Sequence, residues 1–478
     1  MDKVNPYSQY VDFDQEWLGK LPAHWMVMRT KLLFDLVTDP APVGNSEELL
    51  SVYTALGVRP RKDLEARGNK ASTTDNYWRV QKGDIIVNKL LAWMGAVGIS
   101  EYNGVTSPAY DILRARKNVN PYFYNYLFRN PIASREFKRH SRGIMDMRLR
   151  LYFTRLGDLK LPFPPIEEQN RIVEYLEFKL TKIDRFIKKK KQLIKLLNEQ
   201  KAAIINRAVT KGLNPDAKMK PSGIGWLGDI PEHWVIKKIK HVADTFNGAT
   251  PKSDNPTFWN GEINWVTPED IGKVVGRKIS NTTRSISFVG YESCGTRLVP
   301  IGAVVLTCRA PIGNIALAGI ELCTNQGCKS LVPNSDVSGA YLMQFLIANR
   351  AILESFGRGT TFMELSNYSL KNLEIAFSPI ESERIMVLEM IEDETRKFEK
   401  AIATIEKEIA LTQEYRTALI AEAVTGKIDV RGYKMPTESG VQDYEEIEQE
   451  LGMVAEDGEE YLSPLDSNMT CRKKWNQT

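Results

Sequence analysis

The sequence predicts an α+β protein in which two mixed α/β domains are joined by two long helices packed as an antiparallel coiled coil. Three observations predict this fold: a tandem repeat, short strand-like runs in the first part of each copy, and an apolar helical seam at the end of each copy. A chain of 478 residues also exceeds the size of one ordinary hydrophobic core, which favours two domains.

The repeat is clearest in a tryptophan-rich block of nine residues. Trp17–Trp25 (WLGKLPAHW) recurs as Trp226–Trp234 (WLGDIPEHW), and six of the nine positions are identical. Gly83–Val87 later matches Gly302–Leu306. Because the matched blocks keep their order in both halves, we expect a pseudo-two-fold internal repeat. Two further pairs of blocks follow in the same order, namely Pro165–Glu167 with Pro379–Glu381 and Ala208–Thr210 with Ala423–Thr425.

Each copy begins with short apolar runs separated by Gly, Asn and Pro, which predict strands, turns and a few short helices. The two copies then end in long helical patterns. The predicted segments are domain 1 over residues 1–166, a central helix over 167–211, domain 2 over 212–380, a second helix over 381–425, and an acidic, disordered tail over 431–478.

Both helical segments have a coiled-coil seam, with apolar residues at alternating spacings of four and three. Lys190 and Lys201 interrupt the first seam, and Arg416 interrupts the second. Residues 167–211 hold 12 Lys/Arg and 6 Asp/Glu, whereas residues 381–425 hold 6 and 11. Opposite net charges favour pairing of one helix with the other. The alternative is two solvated faces that merely differ in charge.

No motif for catalysis, for a cofactor or for a metal ion is found in the sequence. It has no G-x-x-x-x-G-K-[ST], G-x-G-x-x-G or H-E-x-x-H pattern, and its five cysteines include no C-x-x-C pair. His24 and His233 occupy equivalent repeat positions, which favours a structural role over metal ligation. Ser107–Tyr110 is only weakly similar to the catalytic loop of amino-methyltransferases, so we expect a strand edge there.

The charge distribution favours an anionic partner. The net charge is +4, but residues 431–478 hold 5 Lys/Arg against 11 Asp/Glu, which leaves +10 on residues 1–430. The most apolar stretch, Ile301–Ile320, contains Arg309 and Pro311 and predicts buried strands and no membrane partner. The polar start of the chain and the unpaired thiols predict a cytoplasmic protein.

Polar and basic loop residues lie at similar repeat positions in the two halves. Arg can read guanine, Asn or Gln can read adenine, and Lys holds phosphates. A solvated surface charge is the better interpretation of any single residue, but two matching clusters favour DNA contacts. A glycine beside Arg142 and Arg358 allows close approach to a phosphate. The candidates are Arg61, Lys62, Lys70, Lys89, Arg139, Arg142 and Arg148 in the first half, and Lys252, Asn255, Arg309, Asn325, Gln326, Lys329, Arg358, Thr360 and Thr361 in the second.

These features resemble the specificity subunits of type I restriction–modification enzymes. The resemblance covers residues 7–430 and rests on the duplicated W-L-G-x-[LI]-P-x-H-W block, on Gly83–Val87, and on Leu161–Ile172 at the start of a long helix. Phe246–Pro251, with the tryptophans that follow, is similar to one common type of target-recognition domain. The second copy departs from the pattern at Ser378–Glu383, where one Pro and the Gln are lost.

The resemblance implies that each domain reads one half of a bipartite, asymmetric site in double-stranded DNA, and that the paired helices fix the spacing of the halves. It implies a non-catalytic subunit without a cofactor. Its partners would be two methyltransferase subunits that bind S-adenosylmethionine, and restriction subunits that use ATP and magnesium. Two other functions stay open: a stand-alone methyltransferase or nuclease, and a coiled-coil assembly scaffold without sequence-specific DNA binding.

Overall fold

The computed structural model divides the chain into two compact units. Unit 1 comprises Met1–Lys190 and Glu406–Thr478, and unit 2 comprises Lys191–Ile405. Each unit contains one α/β domain and a part of both long helices. No helix among the described residues is long and apolar enough to cross a membrane. The structure describes residues 5–63, 74–144, 149–358 and 364–434.

Unit 1 is built on a four-stranded sheet of order β4-β11-β8-β9, in which all neighbours are antiparallel. Ile86 and Ile112, at the centre of this sheet, are fully buried. The strands of the unit are β1 Tyr10–Asp12, β2 Lys20–Pro22, β3 Met26–Arg29, β4 Phe34–Val37, β5 Leu50–Tyr53, β6 Gly57–Pro60, β7 Trp78–Val80, β8 Ile85–Asn88, β9 Val97–Ile99, β10 Gly104–Thr106, β11 Tyr110–Ala115 and β12 Lys160–Phe163.

The helices of unit 1 begin where the sequence provides capping residues. Asn120 and Asn130 each precede a proline, and each side chain accepts a hydrogen bond from the backbone two residues further on, which satisfies a free N–H of the first turn. The helices are α1 Thr30–Leu33, α2 Pro121–Phe128, α3 Pro131–His140, α4 Phe153–Leu156 and α5 Ile166–Lys211, the last of which continues into unit 2.

Unit 2 repeats the four-stranded core as β16-β23-β20-β21 and adds β18 parallel to β21. A second sheet has the order β19-β17-β22. The strands are β13 Met219–Pro221, β14 Asp229–Pro231, β15 Val235–Lys238, β16 Ala243–Asn247, β17 Trp259–Val266, β18 Lys278–Ile279, β19 Arg284–Ile286, β20 Val304–Thr307, β21 Ile315–Ala318, β22 Cys323–Thr324, β23 Cys328–Pro333, β24 Gly357–Arg358, β25 Glu364–Leu365 and β26 Glu374–Phe377.

Helices of unit 2 cover its main sheet and lead into the second long helix. In α9, Tyr341, Leu342 and Phe345 are fully buried in the core of the unit. The helices are α6 Ile239–Val242, α7 Pro268–Lys273, α8 Phe288–Glu292, α9 Gly339–Ala348, α10 Arg350–Ser355, α11 Asn367–Asn372 and α12 Glu381–Val424, the last of which continues into unit 1.

The long helices α5 and α12 pack antiparallel within each unit. In unit 1, Asp184 pairs with Arg416 and Lys190 pairs with Glu408, so residue numbers fall on one helix as they rise on the other. In unit 2 the same register pairs Lys201 with Glu399. The seam interruptions therefore carry ion pairs between the helices. The predicted seam is confirmed, because its apolar residues are buried or half-buried, including Leu176, Ile183, Ile391, Ile405 and Leu419.

The duplicated tryptophan block ties each domain to the start of a long helix. In unit 1, Glu168 of α5 lies 2.8 Å from His24 Nε2 and accepts a 3.0 Å bond from Trp25 Nε1. In unit 2, Glu383 of α12 lies 2.8 Å from His233 Nε2 and accepts a 2.9 Å bond from the indole of the next tryptophan. The equivalent histidines therefore orient carboxylates, which agrees with the predicted structural role.

Candidate nucleic-acid interface

Several of the predicted loops lie together at one end of the main sheet of unit 1, where β8 ends and β11 begins. β8 ends at Asn88, directly opposite Tyr110 at the start of β11. The next residue, Lys89, receives a 2.8 Å hydrogen bond at its carbonyl from the backbone N–H of Leu151. This bond joins the loop after β8 to the segment that follows α3. We call this surface, formed by residues 89–95, 107–109, 141–144 and 149–151, loop edge 1.

Two arginines of loop edge 1 pair through their backbones. Arg142 and Arg150 exchange backbone hydrogen bonds of 3.0 and 2.9 Å, and both side chains are exposed. Ile144, two residues after Arg142, is 94% exposed. Two cations held side by side by the backbone could contact neighbouring phosphates or base edges.

The candidate residues of the first half differ in whether their charges are already paired within the protein. Lys89 is half-buried: its Nζ donates to the carbonyl of Pro108 at 2.9 Å and lies 3.2 Å from Asp111 Oδ1. Burial raises the pKa of Asp111, and the Lys89 charge opposes this shift. Lys89 therefore neutralises a buried carboxylate, so its charge is already engaged within the protein.

Three other first-half candidates lie in the 3-10 turn after β6 and in α3. Lys62 is exposed and pairs with Glu48, and Arg61 is half-buried at the start of the same 3-10 turn. Arg139 lies in the last turn of α3, with a side chain 66% exposed and within 4 Å of Glu136. Surface pairs of this kind are weak and can be exchanged for phosphate contacts. Lys70 and Arg148 lie outside the described residues.

Unit 2 has an equivalent surface at the same end of its main sheet. β16 ends at Asn247 and β20 ends at Thr307, while β23 begins between them at Cys328. Backbone hydrogen bonds join Cys308 to Gly327 at 2.9 Å, which brings the loop after β20 against the turn before β23. We call residues 248–258, 308–314, 324–327, 357–358 and 364–365 loop edge 2.

Unit 2 reproduces the backbone contact that the loop after β8 makes in unit 1. The N–H of Leu365 donates to the Cys308 carbonyl at 2.8 Å, which matches the bond from Leu151 to Lys89 in unit 1. The backbone pairing of Arg358 with Glu364 likewise matches the pairing of the two arginines in unit 1. The two predicted clusters are therefore equivalent parts of two related domains.

Three second-half candidates hold the loops in place. Asn255 caps the turn at Pro256–Phe258, and Asn325 Oδ1 accepts a 2.9 Å hydrogen bond from the N–H of Gly327. Lys329 is only 5% exposed and donates to Asn247 Oδ1 at 2.7 Å. These side chains shape loop edge 2 from within, and Lys329 is too buried to contact DNA.

The remaining second-half candidates are available on the surface. Lys252 and Gln326 are exposed, and Gln326 shares a hydrogen bond with Thr250 across the two loops. Arg309 is 47% exposed and pairs with Glu364 at 3.1 Å. Arg358 lies in β24, and Thr360 and Thr361 lie outside the described residues.

The loop from Gly248 to Phe258 is fixed by two tryptophans and one glycine. Trp265 Nε1 donates to the Ala249 carbonyl at 3.0 Å, and Trp259 Nε1 donates to the Lys252 carbonyl at 3.3 Å. A Cβ on Gly248 would lie 1.8 Å from the Asn325 carbonyl oxygen, so only glycine allows this approach. The loop that carries the exposed polar groups is therefore anchored through its backbone.

Two buried cysteines of unit 2 have raised pKa values, and the described residues hold no cluster of metal-ligating side chains. Within them, no group of three or more His, Cys, Asp or Glu side chains is arranged to hold a metal ion. Burial raises the pKa of the Cys323 thiol to about 12 and also raises the pKa of Cys328, so both thiols are protonated near neutral pH. The chemistry that loop edges 1 and 2 support is binding by charge and hydrogen bonds.

Comparison with known proteins identifies the family. The profile of the "Type I restriction modification DNA specificity domain" matches residues 22–196 and again 231–409. The MjaIX specificity subunit of Methanocaldococcus jannaschii is 35% identical over 186 residues, which are 38% of this chain and 43% of that relative. The putative MjaX specificity subunit of the same organism is 21% identical over 439 residues, which are 88% of this chain and 97% of that relative.

Solved structures show the same fold. A chain from work on assembly and conformational transition of the type I R-M system superposes with a TM-score of 0.66 at 16% identity, covering 86% of this chain and 100% of that chain. The HsdS subunit from Thermoanaerobacter tengcongensis gives a TM-score of 0.50 at 16% identity, with coverages of 86% and 98%. These likenesses confirm the predicted fold class. Because the family profile matches in two copies that span most of the chain, the protein belongs to the type I restriction modification DNA specificity domain family.

Proposed function

We propose that this chain is the DNA-recognition subunit of a type I restriction–modification complex, in which loop edge 1 and loop edge 2 each read one half of a bipartite site. The observation that carries the proposal is a backbone contact that recurs in both units. The N–H of Leu151 donates to the Lys89 carbonyl, and the N–H of Leu365 donates to the Cys308 carbonyl, so equivalent loops lie beside arginine-containing segments at the same end of each main sheet. One recognition surface duplicated on two domains suits a site with two separate halves.

The charges on the two surfaces support division of the work between affinity and specificity. Exposed arginines and lysines such as Arg142, Arg150 and Lys252 supply phosphate contacts that bind any sequence. Rigid polar groups on the loops then discriminate between bases. Because the two surfaces carry different side chains at matching positions, the two half-sites differ in sequence.

In this proposal the chain binds DNA and does not itself catalyse a reaction. Its partners are double-stranded DNA, two methyltransferase subunits that bind S-adenosylmethionine, and restriction subunits that use ATP and magnesium. The whole assembly acts in the cytoplasm. The ion pairs along α5 and α12, such as Lys190 with Glu408 at 2.8 Å, fix the register of the helices, and helix length sets the spacing of the half-sites.

The test is selection of duplexes from a randomised pool by the purified chain together with its methyltransferase. The expected product is two specified blocks separated by an unspecified spacer, with affinity that falls as salt rises. Arg142→Ala should weaken selection of one block only. Lys117→Ala is the matched control, because Lys117 is exposed beyond the far end of β11. Enrichment of no sequence would contradict the proposal and favour an assembly scaffold.

A further inference from the structure

We propose that Arg284 reads a guanine in the half-site of unit 2, with its guanidinium held in place by two tryptophans. This inference rests on the proposed function and names a residue that makes part of its specificity. Arg284 is exposed at the start of β19, outside every basic cluster in the sequence. Its surroundings in the fold distinguish it from an ordinary surface arginine.

The strand register places Arg284 beside loop edge 2. Its Cα partner in β17 is Trp265, and on the other side Trp265 pairs with Cys323 of β22. β22 ends at Thr324, where the 324–327 turn of loop edge 2 begins. Arg284 therefore lies in the small sheet that leads directly into the turn with Asn325 and Gln326.

Two indole rings form a corner around the Arg284 guanidinium. The guanidinium carbon lies 3.9 Å from the ring centroid of Trp259 and 5.3 Å from that of Trp265. The two rings meet edge to face, with centroids 5.2 Å apart and planes at 79°. Stacking on an indole restricts the rotamers of arginine and covers one face of the planar group, while its N–H donors remain in the plane.

The indoles are themselves fixed to loop edge 2. Trp265 is 2% exposed and donates to the carbonyl of Ala249, and Trp259 donates to the carbonyl of Lys252. Arg284 is consequently positioned by the same loop that carries the exposed Lys252. Rigid support of this kind lowers the entropy that a side chain loses when it binds.

The donor edge of Arg284 is open. Among the described residues, no hydrogen bond or ion pair joins its guanidinium to another protein group, although its stacking on the tryptophans is close. Two other arginines of unit 2 are paired with acids, the exposed Arg309 with Glu364 and the half-buried Arg350 with Glu354. Arg284 thus combines a fixed position with unsatisfied, full positive charge.

Guanine is the base that suits this group. Its O6 and N7 face the major groove as two adjacent acceptors, which match two parallel N–H donors of arginine. A lysine at the same place could reach only one acceptor at a time, because its ammonium has no planar fork. The geometry therefore favours a guanine contact over a phosphate contact that any cation could make.

The experiment measures base preference at each position of the selected site, with the chain bound to its methyltransferase. Arg284→Ala should lower the preference for guanine by roughly 10-fold at one position of the unit 2 half-site, and Arg284→Lys should not restore it. The unit 1 half-site should stay unchanged. Lys240→Ala is the control, because Lys240 is exposed at the opposite end of β16.

Three results would overturn the inference. Unchanged base preference in both Arg284 variants would show that the residue does not read DNA. A uniform loss of affinity for all sequences, with a salt slope reduced by about one, would identify a phosphate contact. A preference restored by Arg284→Lys would exclude the paired contact. In each case, selection of a bipartite site by the unaltered chain would leave the proposed function standing, and its absence would contradict that function separately.

Discussion

Deleting one heptad from each long helix is expected to shorten the unspecified spacer of the DNA site. The segments to remove are Lys195–Lys201 from α5 and Glu399–Ile405 from α12. They lie opposite each other in unit 2, because Lys201 Nζ is 3.8 Å from Glu399 Oε1 at one end of the two segments. The deletion therefore removes both partners of this ion pair together.

The expected change follows from helix geometry. Seven residues at about 1.5 Å each shorten a helix by roughly 10.5 Å. At about 3.4 Å for each base pair, this corresponds to a spacer about three base pairs shorter. The seam survives, because its period is seven: Ile194 would be followed by Ile204 at the spacing that Leu197 has now.

The assay is selection from duplexes in which the two half-sites are constant and the spacer length varies. The reasoning predicts a new optimum near three base pairs less, with both half-sites unchanged. Lys201→Ala with Glu399→Ala is the matched control, because it removes the same ion pair at full helix length and should keep the original spacer. An unchanged optimum in the shortened protein, assembled and bound to DNA, would refute the idea that the helices set the spacing.

Three further predictions concern anchoring, register and half-site assignment. Burial raises the pKa of Glu383, but hydrogen bonds from Ser378, Trp234 and His233 together lower it by more, so the net pKa lies below its ordinary value. Glu383→Gln should therefore lower the free energy of unfolding in urea by about 1–3 kcal/mol at neutral pH. The difference from the unaltered chain should shrink below about pH 4, because the carboxylate of the unaltered chain then takes up a proton. A difference that stays constant with pH would contradict this. Lys190→Met should destabilise the protein by about 2 kcal/mol, and adding Glu408→Leu should recover part of the loss, whereas additive losses in this double-mutant cycle would show that the pair is not coupled. Arg142→Ala should weaken the unit 1 half-site several-fold in competition binding, and equal weakening of both half-sites would contradict two independent recognition surfaces.

Much of the fold is predictable because its signals are periodic or repeated. The seam of α5 and α12 follows from apolar spacing alone, and opposite net charges indicate which helix is the partner. The structure explains the interruptions of the seam, because Lys190 pairs with Glu408 and Arg416 pairs with Asp184. Composition could not show these pairs, because they depend on the exact antiparallel register.

The site is less predictable because residue type does not determine exposure. Lys89 and Lys329 resemble their exposed neighbours in sequence, yet strand pairing directs the first toward Asp111 and buries the second beside Asn247. Arg284 could not be identified as a candidate from the sequence, for a different reason. Its tryptophan partners are distant along the chain and become neighbours only through the pairing of β17 with β19.

The most direct test of the central claim is long-read methylation sequencing of DNA from cells that express this chain with its methyltransferase, compared with cells that express the methyltransferase alone. Recognition by two duplicated surfaces predicts N6-methyladenine at one new motif with two specified halves and an unspecified spacer, and only when this chain is present. No new motif, with the methyltransferase active and bound to this chain, would contradict the account.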